Sequence, residues 1–441
     1  MRKILVTGGA GMIGSNLVKR LVEAGDEVYV IDNLWRGKLE FLNDEAGNPV
    51  IPLNTHFFKL DLSQPDIAEV VMHKVEYVVH LADIVAGISY VFNNQCSLFR
   101  QNNLINSHMI TTVRKFKETV KGFIYVGTAC SFPLTRQNSL DVIPLKEEEL
   151  YPALPESAYG WSKLMGQYET ELLEKETGIP TCTLMFHNVY GSPCDFGERS
   201  QVIPALIRKA INYPEEPFNV WGSGEQGRAF IHVNDIVEGI VLGLEKGWGH
   251  GHIQLGPSVC TSIKEIAENV VAISGKEIDV FYDTTKPEGD KARSADYTKA
   301  KTILGWEPKV KLMDGLREQY NWIRKQIEKK DGLVFANLDG QFEMTTSHGV
   351  GKKKVLIHNE KGNSGLIQVA FGMLQSGETV GSHRHPTMEE YYVVNYGKGT
   401  ITVNGVDFPC QSGTFLKIPA NAEHSIQAKE EIRFTYWGVA I

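Results

Sequence analysis

The chain opens on an apolar run, Lys3-Ile-Leu-Val-Thr7, that reads as a buried strand, and apolar residues then recur at Leu17, Val18, Leu21 and Val22, along one helix face. Further apolar runs, Glu27-Val-Tyr-Val-Ile31, His56-Phe-Phe-Lys-Leu-Asp61-Leu62, Val75-Glu-Tyr-Val-Val-His-Leu-Ala82 and Gly122-Phe-Ile-Tyr-Val-Gly127, predict more strands, with helical stretches between them. That alternation predicts an α/β, Rossmann-like, doubly wound parallel sheet. The last strong helical pattern, Leu312 to Ile327, finishes in Glu328-Lys-Lys-Asp331. Beyond it the period changes. Short β segments follow at Lys354–His358, Ser364–Ala370, Tyr391–Val394, Gly399–Val403 and Ile432–Trp437, with a turn at Asn404-Gly405 and no helix between them. Regularly spaced strands of this kind predict a small all-β barrel or jelly roll. The expected organisation is a first domain over 1–330, a linker over 331–350 and a second domain over 351–441. A length of 441 residues agrees, being more than one core usually serves.

The glycines between the first strand and helix carry chemistry. In Gly8-Gly-Ala-Gly11-Met-Ile-Gly14, Gly8 allows a tight turn, Gly11 lets a pyrophosphate approach the backbone, and Gly14 lets helix pack on strand. The helix N-terminus, with Met12 and Ile13, then faces the anion. Asp32 ends the second strand, about 20 residues past the glycines, where a carboxylate accepts from a ribose diol and repels a 2′-phosphate. NAD is therefore expected over NADP, with Arg36 as the one nearby feature that speaks for the other form. Asp61, beside Leu62, either meets the adenine end of that cofactor or initiates a helix before Ser63 and Pro65.

Tyr159-Gly-Trp-Ser-Lys163 places a phenol and an ammonium one helical turn apart, so the ammonium is expected to lower the phenol pKa and make Tyr159 a base. Thr128, ending a strand, is placed to hold the same substrate hydroxyl for hydride loss. Cys130 is surplus to that task. It is either a second proton-transfer group or a core thiol at a strand end.

These residues resemble the extended short-chain dehydrogenase/reductase superfamily, specifically its nucleotide-sugar epimerases and dehydratases, over about residues 1–330. Within it the GDP-mannose 3,5-epimerase family is most similar, with the GDP-fucose synthases next. The anchors are the glycine fingerprint, Asp32, His80-Leu-Ala82, Thr128-Ala-Cys-Ser-Phe-Pro133, Tyr159 with Lys163, Phe186-His-Asn-Val-Tyr-Gly191, Trp221-Gly-Ser-Gly-Glu-Gln-Gly-Arg-Ala-Phe230, Pro287-Glu-Gly289 and Arg293-Ser-Ala-Asp296. The resemblance implies a smaller substrate-binding part, lysine-assisted oxidation at the sugar C4, and Cys130 as acid/base at a carbon flanking the transient ketone. It also implies a nucleotide-diphosphate sugar held by Arg228, Arg293 and Asn188, and a hexose surrounded by Asp83-Ile-Val-Ala-Gly-Ile-Ser-Tyr90. A homodimer paired through helices near 103–118 and 158–175 is implied as well. In those families a Lys or His supplies the opposite-face proton where this chain has Gln201. Glutamine does not exchange a proton at useful rates. Either His187 or a water held by Gln201 serves, or the reaction is not an inversion at both carbons.

The second domain resembles a cupin. Gly381-Ser-His383-Arg-His385-Pro-Thr-Met-Glu-Glu390-Tyr-Tyr-Val-Val-Asn-Tyr-Gly397 and Gly413-Thr-Phe-Leu-Lys-Ile-Pro419-Ala-Asn-Ala-Glu-His424 match its two motifs. His383 and His385 alternate on an expected strand and face one side. With Glu390 and His424 they offer three nitrogens and one oxygen to a divalent metal with positions left open. The alternative is a metal-free sugar-binding barrel.

Composition narrows the class. A net charge of −8 argues against a nucleic-acid or anionic membrane surface. No apolar run approaches the roughly 18–20 residues that span a bilayer. Six cysteines at irregular spacings, without a paired framework, are expected as reduced thiols in a cytoplasmic protein. Three functions fit: a nucleotide-sugar epimerase whose cupin acts on the same pathway; a 4-dehydrogenase, dehydratase or reductase feeding a cupin isomerase; or a non-catalytic sugar-nucleotide binding protein.

Overall fold

The computed structural model describes residues 1–286, 289–329, 343–346, 349–358 and 365–440. Pro287 and Glu288 of the Pro-Glu-Gly motif, and most of the expected linker 331–350, lie outside the described residues. The chain divides into two compact units, one of Met1–Leu42 with Val50–Asp331, the other of Asn43–Pro49 with Gly332–Ile441.

The first unit is built on a parallel sheet. Its strands are β1 (Lys3–Thr7), β2 (Glu27–Asp32), β3 (Phe57–Lys59), β4 (Tyr77–His80), β5 (Gly122–Thr128), β6 (Thr181–Phe186) and a last strand, His252–Leu255. They lie in the order His252–Leu255, β6, β5, β4, β1, β2, β3. Continuous apolar runs become central strands because both faces are covered: Ile4, Leu5 and Val6 are fully buried. One face packs Leu5, Ile31, Val78, Phe123 and Tyr125 against Met109, Val113 and Leu173 from helices Gln95–Lys115 and Ala158–Thr177. The order reverses at β1, which has β2 on one side and β4 on the other. A crevice at such a switch point, outside the carboxyl ends of the strands, is where open parallel sheets bind ligands.

A smaller part completes this unit. Helices Val202–Asn212, Ile263–Ser274 and Leu312–Lys329 enclose Ile203, Ile207, Phe218, Ile266, Leu316 and Ile323. Short strand pairs, Asn188–Tyr190 with Phe230–His232 and Gly227–Arg228 with Thr261–Ser262, carry Asn188 and Arg228 at its edge.

The second unit is two antiparallel sheets. One has six strands in the order Glu343–Thr345, Lys352–His358, Leu366–Leu374, Ile432–Ala440, Met388–Tyr396, Phe415–Ile418. The other has four, Thr379–His383, His424–Ala428, Lys398–Val403 and Val406–Gln411. Their core holds Leu374, Tyr392, Val394, Ile401, Ile418, Ile426 and Phe434. Asn404 and Gly405 both take positive φ, +49° and +79°, the mirror-image turn that matches strand twist in a two-residue hairpin. Strands Val406–Gln411 and Phe415–Ile418 escape the alternation rule because both are edge strands, with Val406, Phe408 and Phe415 exposed. The strand expected through His385 ends at His383. His385 sits in the turn beyond it, ahead of Pro386, which has no amide to continue a ladder.

Close packing at the glycine turn is the first checkable constraint. A Cβ on Gly14 would stand 2.2 Å from the Gly8 carbonyl oxygen and 2.6 Å from Gly9 Cα. Gly14→Ala is expected to destabilise the first unit by roughly 1–3 kcal/mol, as overpacking against backbone does. Urea midpoints measure this, and an unchanged midpoint would contradict the packing.

Candidate active site and metal centre

One cleft in the first unit gathers most of the expected residues. It is lined by Gly8, Gly11, Met12, Ile13, Gly14, Asp32, Asp61, Leu62, Asp83, Thr128, Tyr159, Lys163, His187 and Gln201, among others. Gly8 has φ +69°, and a Cβ there would lie 2.9 Å from Ala82 N, so the turn closes directly on the end of β4. Gly11 is the N-cap of helix Met12–Glu23, and no acidic side chain occupies its first turn. The free amides of that turn are left for an anion. Asp32 is buried, its Oδ2 accepting from Ala10 N at 3.0 Å and its Oδ1 from Leu34 N at 2.7 Å. Burial raises its pKa and these two amides oppose the rise. Asp61 accepts from Ser63 N at 2.9 Å and begins a turn rather than a helix, while still lining the cleft. Arg36 is engaged by Asp195 at 3.5 Å and by the Val85 carbonyl. These residues fit a dinucleotide with a free ribose diol.

The oxidation residues meet because of one glycine. Helix Ala158–Thr177 starts at the Ser157 N-cap, whose Oγ accepts from Gly160 N at 3.3 Å. A Cβ on Gly160 would lie 2.2 Å from the Cys130 carbonyl oxygen, so the helix rests on the turn after β5. Ser131 Oγ donates to the Gly160 carbonyl at 3.2 Å and fixes the contact. Thr128 acts on the Tyr159 phenol and pulls its pKa down. Thr128 Oγ1 also accepts from Cys130 N at 3.3 Å.

Lys163 has a partner that its motif does not announce: Nζ pairs with Asp83 Oδ2 at 3.0 Å and lies 4.6 Å from the Tyr125 ring centroid. The phenol stands well above its ordinary value, chiefly through burial and then through the Asp83 and Cys130 charges, against the pull of Thr128 and Arg293. Arg293 donates Nη1 to Asp290 Oδ2 at 2.7 Å and to Gln137 Oε1 at 3.1 Å. Its Nη2 donates to Cys130 Sγ at 3.2 Å and to Asn188 Oδ1 at 3.4 Å. A guanidinium donor on sulfur is the partner a thiolate requires. Cys130 therefore faces the polar site instead of packing in the core. Arg228 is buried and donates to the Gly227 carbonyl at 2.8 Å; burial, helped by the neighbouring Arg293 charge, pulls its pKa down to about 10.

The two groups named for an opposite-face proton are both present. Gln201 is the N-cap of helix Val202–Asn212, its side chain unused as a cap. His187 is buried, with Nε2 3.1 Å from Gln254 Oε1. The Gln254 amide nitrogen donates to the Leu145 carbonyl at 2.8 Å, so its oxygen must accept from His187. Nε2 thus carries the hydrogen and Nδ1 is bare, without a partner among the described residues. Burial pulls this imidazole down to about 4. It is neutral at pH 7 and can accept a proton, not supply one.

Sequence reasoning passed over Asp290 and Glu156. Asp290 is 4% exposed and anchors Arg293. Glu156 hydrogen-bonds Asp290, and its pKa rises to about 7, through burial first and then through the Asp290 charge. Glu156 lies in no periodic or glycine-rich context, whereas Asp290 stands between the Pro287-Glu-Gly289 and Arg293-Ser-Ala-Asp296 motifs, the signal that could have marked it.

In the second unit, His383, His385, Glu390 and His424 bring four candidate ligand atoms within 4.8 Å of one another. His383 Nδ1 lies 2.9 Å from the Gly381 carbonyl and His424 Nδ1 3.0 Å from that of Ala422. Those carbonyls fix the tautomers and turn both Nε2 atoms into candidate ligands, the outer support that metal-binding imidazoles use. Glu390 is 2.9 Å from His424 Nε2 and 3.6 Å from His385 Nε2. Tyr392 OH donates to its Oε2 at 3.2 Å.

Comparison with known proteins agrees with this geometry. The family model for the NAD dependent epimerase/dehydratase family matches residues 4–256, and that for the cupin domain matches residues 370–437. GDP-mannose 3,5-epimerase 1 of Oryza sativa subsp. indica is 33% identical over 330 residues, covering 74% of this chain and 83% of that protein. GDP-L-fucose synthase 1 of Arabidopsis thaliana is 30% identical over 335 residues, covering 74% and 94%. A solved UDP-glucose 4-epimerase with UDP-glucose from Thermotoga maritima superposes with a TM-score of 0.66 at 30% identity, over 74% of this chain and 99% of that one. A UDP-glucuronic acid 4-epimerase from Bacillus cereus, in complex with UDP-glucuronic acid and NAD, gives 0.63 at 25% identity, over 74% and 99%.

The Glu156–Asp290 pair makes stability depend on pH. A carboxyl whose pKa is raised from 4.5 to about 7 on folding stabilises the fold fully only below its unfolded value, and that contribution is lost as pH rises through about 7. Glu156→Gln is expected to reduce the decline in stability between about pH 5 and pH 8 by on the order of 1 kcal/mol, allowing for the group's partial exposure. Urea midpoints at both pH values check this; equal declines in the two proteins would rule it out.

Proposed function

The chain belongs to the NAD dependent epimerase/dehydratase family, and from that membership we propose that its first unit is an NAD-dependent nucleotide-sugar epimerase acting on a GDP-sugar. The observation that carries this reading is the position of Cys130. Its sulfur lies 3.2 Å from Arg293 Nη2, and its backbone, two residues beyond Thr128, rests against the helix that bears Tyr159. Oxidation alone has no use for it.

Gly8, Gly11, Met12, Ile13 and Gly14 would hold the cofactor pyrophosphate, Asp32 the ribose diol, Asp61 and Leu62 the adenine end, and Lys163 the second ribose. NAD, when bound, supplies an acceptor for a hydride that it later returns. Thr128 holds the C4 hydroxyl and Tyr159 takes its proton as the hydride leaves the same carbon. The resulting ketone acidifies the neighbouring C–H bonds, and Cys130 removes one of those protons, with Arg293 hydrogen-bonded to the sulfur. Asn188, Gln201, Arg228 and Arg293 line the substrate side.

The cupin is proposed to bind one divalent metal through His383, His385, Glu390 and His424 and to act on a sugar of the same pathway. A homodimer is supported by helix Ala158–Thr177, where Met165, Tyr168 and Leu172 form an exposed apolar face at helical spacing. One observation favours a second reading. Neither Gln201 nor neutral His187 has a proton to give, which suits a 4-dehydrogenase, dehydratase or reductase that passes a 4-keto sugar to the cupin.

GDP-, UDP- and dTDP-sugars in deuterated water separate the readings. Epimerisation is expected to place deuterium at C3 or C5 with NAD regenerated, whereas accumulating NADH would favour the second reading. Cys130→Ala is expected to lower exchange by at least about 100-fold while C4 oxidation persists; undiminished exchange would remove Cys130 from the mechanism. Metal analysis is expected to find a divalent ion in the intact protein and its loss in the His383→Ala/His424→Ala double variant. Equal metal contents would refute the ligand set.

A further inference from the structure

Asp83 lies just beyond the carboxyl end of β4 and lines the same cleft as Thr128, Tyr159 and Lys163. Its ion pair with Lys163 is 3.0 Å long, and the lysine and aspartate side chains are only 3% and 6% exposed. Among the described residues, neither carboxylate oxygen has a hydrogen-bond partner beyond that pair. The Ile84 amide, which also faces the carboxylate, is given to Asn102 Oδ1 at 2.9 Å. Tyr125 closes the far side of Lys163, and nearby His80 is kept neutral, its pKa pulled down to about 3 by burial and then by Lys163. A buried carboxylate with unused lone pairs, on a residue that lines the cleft, is placed to act on the charge of what enters it.

The charges decide how. Lys163 and Asp83 cancel, so an ionised Tyr159 would be an uncompensated negative charge in a buried space. The other charged or titratable groups bearing on the phenol are Cys130 and Arg293, which already hydrogen-bond each other, the phenol of Tyr125, and Arg36, which is engaged by Asp195 and the Val85 carbonyl. Proton and hydride leave the same carbinol, so the nicotinamide ring must come up beside Tyr159. That ring carries one positive charge when oxidised and none when reduced. We propose that Asp83 is a positioning and charge-matching residue of the oxidation site: it holds Lys163 and makes proton acceptance by Tyr159 conditional on the oxidised cofactor. The inference rests on the NAD-dependent reading of the first unit. In the forward direction the carbinol loses a hydride to the oxidised ring and a proton to Tyr159. In the return direction both come back, and a phenol beside a neutral ring keeps its proton until the ketone oxygen takes it. Asp83 widens the difference between these two states.

Asp83→Asn keeps the shape and removes the charge. Calorimetric Kd values for NAD and NADH on the full chain are expected to shift in ratio by at least about fivefold toward NADH in this variant. Asp83→Glu, which restores the carboxylate, is expected to stay within about twofold of the natural ratio. Asp83→Ser provides the same comparison should Asn impair folding. In parallel, ultraviolet titration of tyrosinate, referenced to Tyr159→Phe, is expected to show Tyr159 ionising at lower pH in the Asn variant without cofactor. An unchanged NAD/NADH ratio in both neutral variants overturns the role of Asp83. Failure of the natural protein to bind either nucleotide overturns the reading beneath it.

Discussion

The active half of this molecule depends on one steric contact, the seating of a helix on a carbonyl. Gly160 has no side chain, and the space where one would begin is filled by the Cys130 carbonyl oxygen 2.2 Å away. Because of that contact the turn after β5 and the first turn of helix Ala158–Thr177 form a single piece of structure. Thr128 and Cys130 come from the first, Tyr159 and Lys163 from the second. Groups that must act on adjacent atoms of a small sugar have to be held to within fractions of an ångström, and backbone against backbone achieves this better than side chain against side chain. The glycine turn after β1 repeats the device, with Gly14 against Gly8 and Gly8 against Ala82. Both contacts lie at the carboxyl edge of one parallel sheet, and the cleft opens between them.

Within this frame the charges are matched in pairs rather than set in a field of one sign. Lys163 answers Asp83, Arg293 answers Asp290, and the Asp290 charge helps raise the Glu156 pKa to about 7. Each buried ion would be costly alone. Pairing removes most of that cost and leaves the local net charge close to neutral, so an entering charged ligand changes the balance sharply. A diphosphate near Arg228 and Arg293 and a positive ring near Tyr159 would each disturb a balanced pair. Asp290 also explains why Arg293 can lie on Cys130. With one nitrogen fixed by a carboxylate, the other is directed at the sulfur and at Asn188.

The fold was largely legible because its signals are local and repeated. Continuous apolar runs with β-branched residues can only be strands covered on both faces, and the glycines between β1 and the first helix announce the turn. Placing Thr128, Tyr159 and Lys163 in one cleft followed from strand ends and helical spacing. What escaped depended on tertiary partners. Nothing in Tyr-x-x-x-Lys says that Lys163 will meet Asp83, which lies 80 positions earlier, and nothing in the Arg293 motif distinguishes a phosphate from a thiol as its partner. Asp83 did carry a usable signal, since it stands just past the end of β4, where side chains of a parallel sheet face the ligand crevice. In the cupin, the motif spacing found all four polar residues, yet the strand expected through His385 stops at His383. The edge strands with exposed Val406, Phe408 and Phe415 lack the alternation by which strands are recognised.

Proton inventory constrains the chemistry further than motif matching does. Inverting a carbon needs one group that takes a proton and another, across the ring, that already holds one. Cys130 fits the first role through its sulfur. His187 is excluded from the second by a chain of hydrogen bonds: Leu145 accepts from the Gln254 amide, the Gln254 oxygen therefore accepts from His187, and the buried Nδ1 is left bare, without a partner among the described residues. Gln201 has no exchangeable acid. Glu156, its pKa raised to about 7 by burial and then by the Asp290 charge, is a carboxyl that holds a proton near neutrality, while Asp290 is joined to the sulfur through the Arg293 guanidinium, which carries charge but passes no proton at this pH. Removal of a proton is thus better provided for than its delivery from the opposite face. A site so composed favours reactions in which the second proton comes from solvent, or in which the ketone leaves before it is needed.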